Sequence, residues 1–519
     1  MHQARESDQG KRGQGFVSRS PYGDRYAFDP VSASQPAEID GFLERNPGRE
    51  VVVVQGLGFV GSAMTTAIAS ARTESGEPKY AVIGVDVATP ESYWKVGRIN
   101  AGLLPVVSLD EDMDRVFREN FRRGHILATT DPHAYAVADV IVVDINLDAQ
   151  KKGFGRARER SVDLTAFKAA MRTMADRMKP SCLVVVESTV PPGTCEKIVL
   201  PIMREAFKKR GLPEAPIRLA HSYERVMPGR NYLKSITQFY RVYSGVNEEA
   251  KRQVRSFLES FIDTKNFPLS EVSTTNGSEI GKVLENSFRA ANIALIQEWT
   301  EFAEHAGVNL FEVIRAIRMR ETHKNIMLPG FGVGGYCLTK DPLLADWASV
   351  ELFGGGRLDM SLQAVDINDL MPLHSFRLIE RALGSLAGKT VLLMGVSYLN
   401  NVADTRNSPS EMFYRRCAES GASVVVHDPL VCHWPEVGIP IATGFAELRG
   451  CGADAVVMAV RHDEYMGLKP EAFSEFLKDG GWVLDVNDVV DDKKADGLRR
   501  RGFHVVGVGK GHWNICERA

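Results

Sequence analysis

Four consecutive valines, Val51-Val52-Val53-Val54, run into Gly56-Leu57-Gly58-Phe59-Val60-Gly61 and then into an alanine-rich stretch at 62–71. A β-branched run without polar alternation suits a strand buried on both faces, which means a parallel sheet covered by helices. The next such run, 80–85, ends in Asp86, and further runs at 140–143 and 183–186 are separated by helical patterns. The alternation recurs late in the chain. Residues 390–394 read as a strand, 410–420 as a helix, and Val424-Val425-Val426 ends at Asp428 much as the early unit ends at Asp86. The run 453–458 echoes 138–143, and Trp482-Val483-Leu484 supplies a last buried strand. The pattern predicts an α/β chain of two doubly wound domains joined by a central helical region.

The expected divisions are an N-terminal extension at 1–48, a first α/β domain at 49–274, a helical region at 275–388 and a second α/β domain at 389–519. The extension is rich in Gly, Ser, Gln, Asp and Arg and predicts little order, with docking through Tyr22, Tyr26 and Phe28. At 519 residues, 44% apolar and 25% charged, the chain has material for several cores. With 63 basic and 66 acidic side chains its charge of −3 gives no reason for a polyanion partner, so nucleic acid is not expected. No apolar run reaches the length of a membrane span. Seven cysteines, at 182, 195, 337, 417, 432, 451 and 516, are scattered and never spaced as CxxC. That spacing predicts neither a disulfide framework nor a metal site, and favours a reducing compartment. The first fifteen residues lack the apolar core of a secretory signal, so the expected location is the cytoplasm.

Each glycine of the 56–61 turn has a physical task. Gly56 permits the tight turn, Gly58 lets a pyrophosphate approach the backbone, and Gly61 lets the helix pack on the strand. The phosphates then face a helix N-terminus, with the backbone of Phe59 and Val60 beside them. Asp86, at the end of the second strand, is placed to accept from ribose hydroxyls and repels a 2′-phosphate. This Rossmann-like arrangement predicts NAD rather than NADP. The Gly61–Asp86 spacing is slightly long, which a loop insertion at 73–79 accounts for.

The stretch 329–341, PGFGVGGYCLTKD, places Cys337 directly after Gly330, Gly332, Gly334 and Gly335. Such backbone wraps closely around a ligand and exposes N–H groups to it. A cysteine there makes sense if its sulfur must reach bound substrate as a nucleophile. The other six cysteines read as space-filling. Lys282 and Asn286 stand four apart on a predicted helix and project from one face, where an ammonium and an amide suit a developing oxyanion.

With these pieces in order, the chain resembles the UDP-glucose/GDP-mannose dehydrogenase family from about Glu50 to near its end. Further matching stretches are Ile99-Asn100-Ala101-Gly102 with Pro105, Thr129-Thr130-Asp131, 187–194 (ESTVPPGT), and Asp404-Thr405-Arg406-Asn407-Ser408-Pro409. Tyr223-Glu224-Arg225-Val226-Met227-Pro228-Gly229 and the Gly-Val-Gly-Gly-x-Cys loop are similar to the branch acting on UDP-N-acetylhexosamines. The resemblance implies an NAD-dependent, four-electron oxidation of a nucleotide-sugar C6 alcohol to a carboxylate. It implies that Cys337 forms a thiohemiacetal and then a thioester, with Lys282 and Asn286 at the C6 oxygen and Glu224 and Asp341 at the hydrolytic water. Cofactor contacts carried over are Gly56, Gly58, Phe59, Val60, Gly61, Asp86, Ser188 and Thr189. Those to substrate are Glu224, Arg225, the four loop glycines and Arg406, with a C-terminal domain that binds UDP. The family is usually dimeric or larger.

The chain departs from the family pattern in places. Asp144-Ile145-Asn146-Leu147-Asp148 replaces a Pro-Thr-Pro turn, Leu399 stands for a lysine, and Asp485-Val486-Asn487-Asp488 stands for an arginine motif. An upstream arginine aligns loosely with His323 or Lys324. UDP-glucose and GDP-mannose remain as alternative substrates. A two-electron hydroxyacid dehydrogenase and a catalytically weak nucleotide-sugar-binding homologue are further readings, separated by NADH released per substrate.

Overall fold

The computed structural model of the protein describes residues 16–29, 36–106, 110–212, 214–226 and 229–513. Met227 and Pro228 of the YERVMPG motif, Cys516, and the rest of the N-terminal extension lie outside the described residues. The chain divides into two compact units. One holds the described residues up to Leu147 with Leu164–Glu279, the other Asp148–Asp163 with the described residues from Ile280.

The first unit is built on an eight-stranded sheet. Its spatial order is Ser270–Glu271, Val242–Gly245, Arg218–His221, Leu183–Val186, Val140–Val143, Glu50–Gln55, Tyr80–Val85, Ile126–Thr129. All neighbours run parallel except Arg218–His221 with Val242–Gly245. Strand order reverses between Glu50–Gln55 and Val140–Val143, and ligands of such sheets bind at that crevice, beyond the carboxyl ends of the strands. Val52, Val53 and Val54 are fully buried, as are Ile141, Val142 and Val143. The helix predicted over 62–71 begins earlier, at Phe59, because the extended backbone at Gly58 turns straight into it.

The second unit carries a five-stranded parallel sheet, ordered Ser423–His427, Thr390–Met394, Ala453–Met458, Leu477–Asp485, His504–Gly507. It also holds the helices Leu310–Ile317, Cys337–Trp347 and Asp359–Leu383, and most of the 32-residue helix Thr275–Ala306. Asp148–Asp163, which the sequence reading assigns to 49–274, belongs to this second unit. Its strands Ala149–Lys151 and Arg160–Val162 pair as a hairpin. Buried ion pairs hold that hairpin: Lys151 with Asp369, and Arg160 Nε with Asp346 Oδ2 at 2.5 Å. Ala157 N–H adds a 2.7 Å bond to Asp366.

Part of the extension expected to be poorly ordered is regular. Strands Phe16–Arg19 and Arg25–Phe28 form a hairpin on the helix Tyr93–Asn100. Phe28 stacks on Tyr93 at 4.8 Å, Tyr22 meets Trp94 edge-on at 6.2 Å, and Tyr26 covers Gly97, where a Cβ would stand 2.3 Å from the ring. The helix Pro36–Glu44 follows and buries Ile39 and Phe42.

The helix Glu111–Arg122 is started by Asp110, whose side chain accepts from the N–H groups of Asp112 and Met113 and, across the unit, of Leu233. Capping acceptors of this kind contribute about 1–2 kcal/mol. Asp110→Ala is therefore expected to lower stability by about 2 kcal/mol, since a second element loses its acceptor too. Urea denaturation measures this, and an unchanged midpoint would contradict the assignment.

Candidate functional site

In the first unit the glycine turn closes sterically on two sides and stays open on the third. Gly56 has φ +98°, and a Cβ there would lie 2.5 Å from the Asp144 carbonyl oxygen. A Cβ on Gly61 would lie 1.8 Å from the Gly56 oxygen, which no side chain tolerates. A Cβ on Gly58 would meet nothing within 4 Å. The open face beside a helix N-terminus fits a pyrophosphate held by backbone N–H groups.

Asp86 completes the edge of this cradle. Its Oδ2 accepts from Leu57 N at 3.0 Å and Lys95 Nζ at 3.0 Å, and its Oδ1 from Val87 N at 2.8 Å. The carboxylate is thereby fixed beyond the strand Tyr80–Val85, as the sequence predicts. The Phe59 carbonyl receives the buried Tyr232 hydroxyl, and Val60 packs partly buried against the core. Ser188 Oγ donates to the carbonyls of Ile145 and Val143 at 2.7 and 3.0 Å, with Thr189 beside it. Glu224 accepts from Val226 N–H, and Arg225 donates to the Tyr240 carbonyl at 2.8 Å while covering the Tyr223 ring. Glu279, which the sequence did not single out, accepts from Gly193 N and Cys195 N at 2.6 and 2.8 Å. Burial pushes its carboxyl up to about 7. It anchors the PPGT turn, a packing role that no motif marked.

In the second unit the cysteine loop is shaped by what crowds it. A Cβ on Gly334 would lie 2.3 Å from the Asn407 oxygen, and one on Gly335, at φ +75°, 2.9 Å from the Tyr398 ring. Gly335 N–H donates to Arg406 O at 2.9 Å, and Asn407 Nδ2 returns a bond to Gly335 O at 3.1 Å. The Arg406 guanidinium covers the Tyr336 ring at 4.7 Å and grips Asp404 with two nitrogens. Gly332, at φ +104°, packs on the Asn368 carbonyl, whose side chain takes Val333 N at 2.8 Å. Asn487, standing where the family pattern has an arginine motif, accepts from Phe331 N at 3.2 Å and closes over Gly330. A cleft of about 220 Å³ follows, lined by Gly332, Ser397, Leu399, Ser408, Arg461 and Asn487. Arg461 had no motif to mark it.

Cys337 is exposed at the first residue of the helix Cys337–Trp347, and Asp341 is fully buried one turn further along. Asp341 Oδ2 accepts from Asn286 Nδ2 at 2.6 Å. Lys282, one turn before Asn286, is buried with it. The Asn286–Asp341 bond thus joins the helix that carries Lys282 to the helix that carries Cys337. Glu224, Arg225, Ser188 and Thr189 belong to the first unit.

Three of the other cysteines, Cys182, Cys195 and Cys417, differ physically from Cys337 in being buried. Burial pushes the Cys417 thiol up to about 12, and it raises those of Cys182 and Cys195 as well. Cys432 is exposed. Iodoacetamide near neutral pH is expected to modify Cys337 and Cys432 and to spare Cys182, Cys195 and Cys417, because only accessible thiolate reacts. Peptide mass mapping reads this, and alkylation of Cys195 as fast as Cys337 would contradict the burial.

Residues 50–262 match the NAD binding domain of the UDP-glucose/GDP-mannose dehydrogenase family, 276–369 its central domain and 392–492 its UDP binding domain. The chain is 29% identical over 466 residues to the UDP-N-acetyl-D-mannosamine dehydrogenase of Pyrococcus horikoshii, covering 89% of this chain and 99% of that one. It is 29% identical over 422 residues to an NDP-N-acetyl-D-galactosaminuronic acid dehydrogenase of Ralstonia nicotianae, covering 80% and 92%. The solved structure of the Pyrococcus horikoshii enzyme superposes with a TM-score of 0.73 at 28% identity, covering 89% of this chain and all of that one. No helix among the described residues is long and apolar enough to cross a membrane. With a dinucleotide cradle at its first sheet, a cysteine loop in its helical region and three domain matches in order, the chain belongs to the UDP-glucose/GDP-mannose dehydrogenase family and is an NAD-dependent nucleotide-sugar dehydrogenase.

Proposed function

We propose that the protein oxidises the C6 alcohol of a UDP-N-acetylhexosamine to the carboxylate in two successive two-electron steps. The observation that carries this reading is Cys337, an exposed thiol one helical turn before a buried Asp341 that is hydrogen-bonded to Asn286. A dehydrogenase that stops at a carbonyl has no use for a nucleophile; one that proceeds to an acid needs the aldehyde held covalently. Relatives named for N-acetylmannosamine and N-acetylgalactosaminuronic acid support the sugar class.

Gly56, Gly58, Phe59, Val60, Gly61 and Asp86 would hold the dinucleotide, with Ser188 and Thr189 at its nicotinamide end. NAD⁺ bound there supplies the hydride acceptor, one molecule for alcohol to aldehyde and a second for thiohemiacetal to thioester. Lys282 and Asn286 orient the C6 oxygen, and the ammonium stabilises negative charge on it. The Cys337 sulfur adds to the aldehyde carbon, so that the C6 oxygen becomes the hydroxyl of a thiohemiacetal. At the thioester stage, water attacks the carbonyl carbon, the C–S bond breaks and the acid leaves. Asp341 positions that water. Gly330, Gly332, Gly334, Gly335 and Arg406 frame the nucleotide sugar.

The same reading includes a second copy of this chain. Ile280, Leu284, Phe288, Leu295 and Phe302 fall on one face of the helix Thr275–Ala306, and all are exposed, Phe302 by 76%. An apolar stripe of that length favours a symmetric partner over solvent.

Two outcomes test the proposal. With NAD⁺ and a UDP-N-acetylhexosamine, the wild type is expected to release two NADH per sugar. Cys337→Ser should form no carboxylate while binding NAD⁺ normally; one NADH per sugar from the wild type, or full acid yield from the variant, would overturn it. Equal turnover of UDP-glucose or GDP-mannose would overturn the sugar assignment alone. For the assembly, Phe288→Glu with Phe302→Glu is expected to halve the mass seen by light scattering, and an unchanged mass would remove this face from the interface.

A further inference from the structure

Three acidic side chains converge beyond the carboxyl ends of neighbouring strands in the first unit. Asp144 follows Val140–Val143, Glu187 follows Leu183–Val186, and Glu224 lies just past Arg218–His221. The cation facing them is Arg241, 3% exposed, with Nη1 2.5 Å from Glu187 Oε1 and Nη2 3.4 Å from Met64 Sδ. Tyr232, bonded to the Phe59 carbonyl, is the other titratable group that senses Asp144.

Both Asp144 carboxyl oxygens are buried, and among the described residues neither receives a bond from an N–H or O–H donor. What Asp144 meets is the carboxyl group of Glu187. Two carboxyl groups share a hydrogen bond only if one of them keeps a proton, and a single guanidinium balances a single charge. Burial, then the charges of Glu187 and Glu224, hold the Asp144 carboxyl well above the usual range.

Asp144 also touches the glycine turn. Its carbonyl oxygen is what a Gly56 Cβ would strike, and its own Cβ lies 3.4 Å from where a Gly61 Cβ would be. Its place in the sequence is where the family pattern has a Pro-Thr-Pro turn.

We propose that Asp144 is a positioning residue that stays protonated while the dinucleotide is bound, donating to Glu187 and keeping a second negative charge away from the pyrophosphate cradle. The inference rests on NAD⁺ occupying the 56–61 turn. The sign follows from linkage. A bound dianionic pyrophosphate raises the proton affinity of Asp144 further, so NAD⁺ affinity is full at low pH and falls as pH rises through the titration of the free protein.

The test is calorimetric titration of the full chain with NAD⁺ between about pH 6 and about pH 9. In the wild type the Kd is expected to rise, by up to about tenfold per pH unit once the proton leaves. Asp144→Asn, the same shape, neutral and still a donor, should hold its Kd within about threefold throughout. Glu187→Gln, which removes the charge that retains the proton, should move the wild-type profile to lower pH. A flat wild-type profile overturns the proposal without any variant, and so does a profile unchanged by Asp144→Asn or by Glu187→Gln. Absence of NAD⁺ binding at every pH would remove the cofactor site as well, whereas binding with parallel profiles removes only the role of Asp144.

Discussion

A single 2.6 Å hydrogen bond, from Asn286 to Asp341, fixes the register between the two helices that carry Lys282 and Cys337. Asp341 is fully buried and Asn286 nearly so, and in that setting a lost partner leaves an unsatisfied charge costing about 1–3 kcal/mol or more. The bond ties the helix that carries the Cys337 thiol to the helix that carries Lys282, and both of its partners are buried, so Asn286 and Asp341 have little freedom to change one at a time.

The two sheets carry the same kind of glycine turn in different surroundings. Asp86 accepts from Leu57 N–H after Gly56, and Asp428 accepts from Val396 and Ser397 N–H after Gly395, whose φ of +106° matches that of Gly56. The turns start alike and then diverge. Gly58 is open to approach, whereas the corresponding place beyond Gly395 carries Ser397, whose hydroxyl lies 3.1 Å from His462 Nε2. Asp428 itself is fully buried and meets the same histidine, at 3.3 Å, while Asp86 reaches Lys95. A backbone cradle for pyrophosphate has been exchanged for an internally satisfied polar cluster beneath a cleft.

Features dictated by backbone sterics were legible in the residues. The valine runs, the Gly56–Gly61 turn and the terminal Asp86 read directly, because few residue types satisfy burial on both faces or a left-handed turn. Lys282 and Asn286 on one helix face were legible through spacing, whereas Asp341 came in only through the family resemblance, and the bond that joins it to Asn286 crosses between two helices. The hairpin at 149–162 was not. Its three-residue strands carry no period, and what fixes it, Asp346, Asp366 and Asp369, comes about two hundred residues later. Asn487 was read as a lost arginine, yet its oxygen accepts a loop N–H over Gly330. In the extension the docking rings Tyr22, Tyr26 and Phe28 were legible, but the hairpin was not, since its order comes from those rings packing on a helix rather than from its own pattern.

That last packing has a practical side. The hairpin before residue 29 rests on the same short helix that presents Lys95 to Asp86, with Arg98 gripping Asp24 and Ser18 bonded to the Pro90 carbonyl. A chain trimmed back to its first parallel strand would leave Tyr93 and Trp94 bare and deprive Arg98 of its counter-ion. Anyone shortening this protein for convenience would be exchanging a few dozen residues for a greasy, sticky patch beside the strand end that carries Asp86.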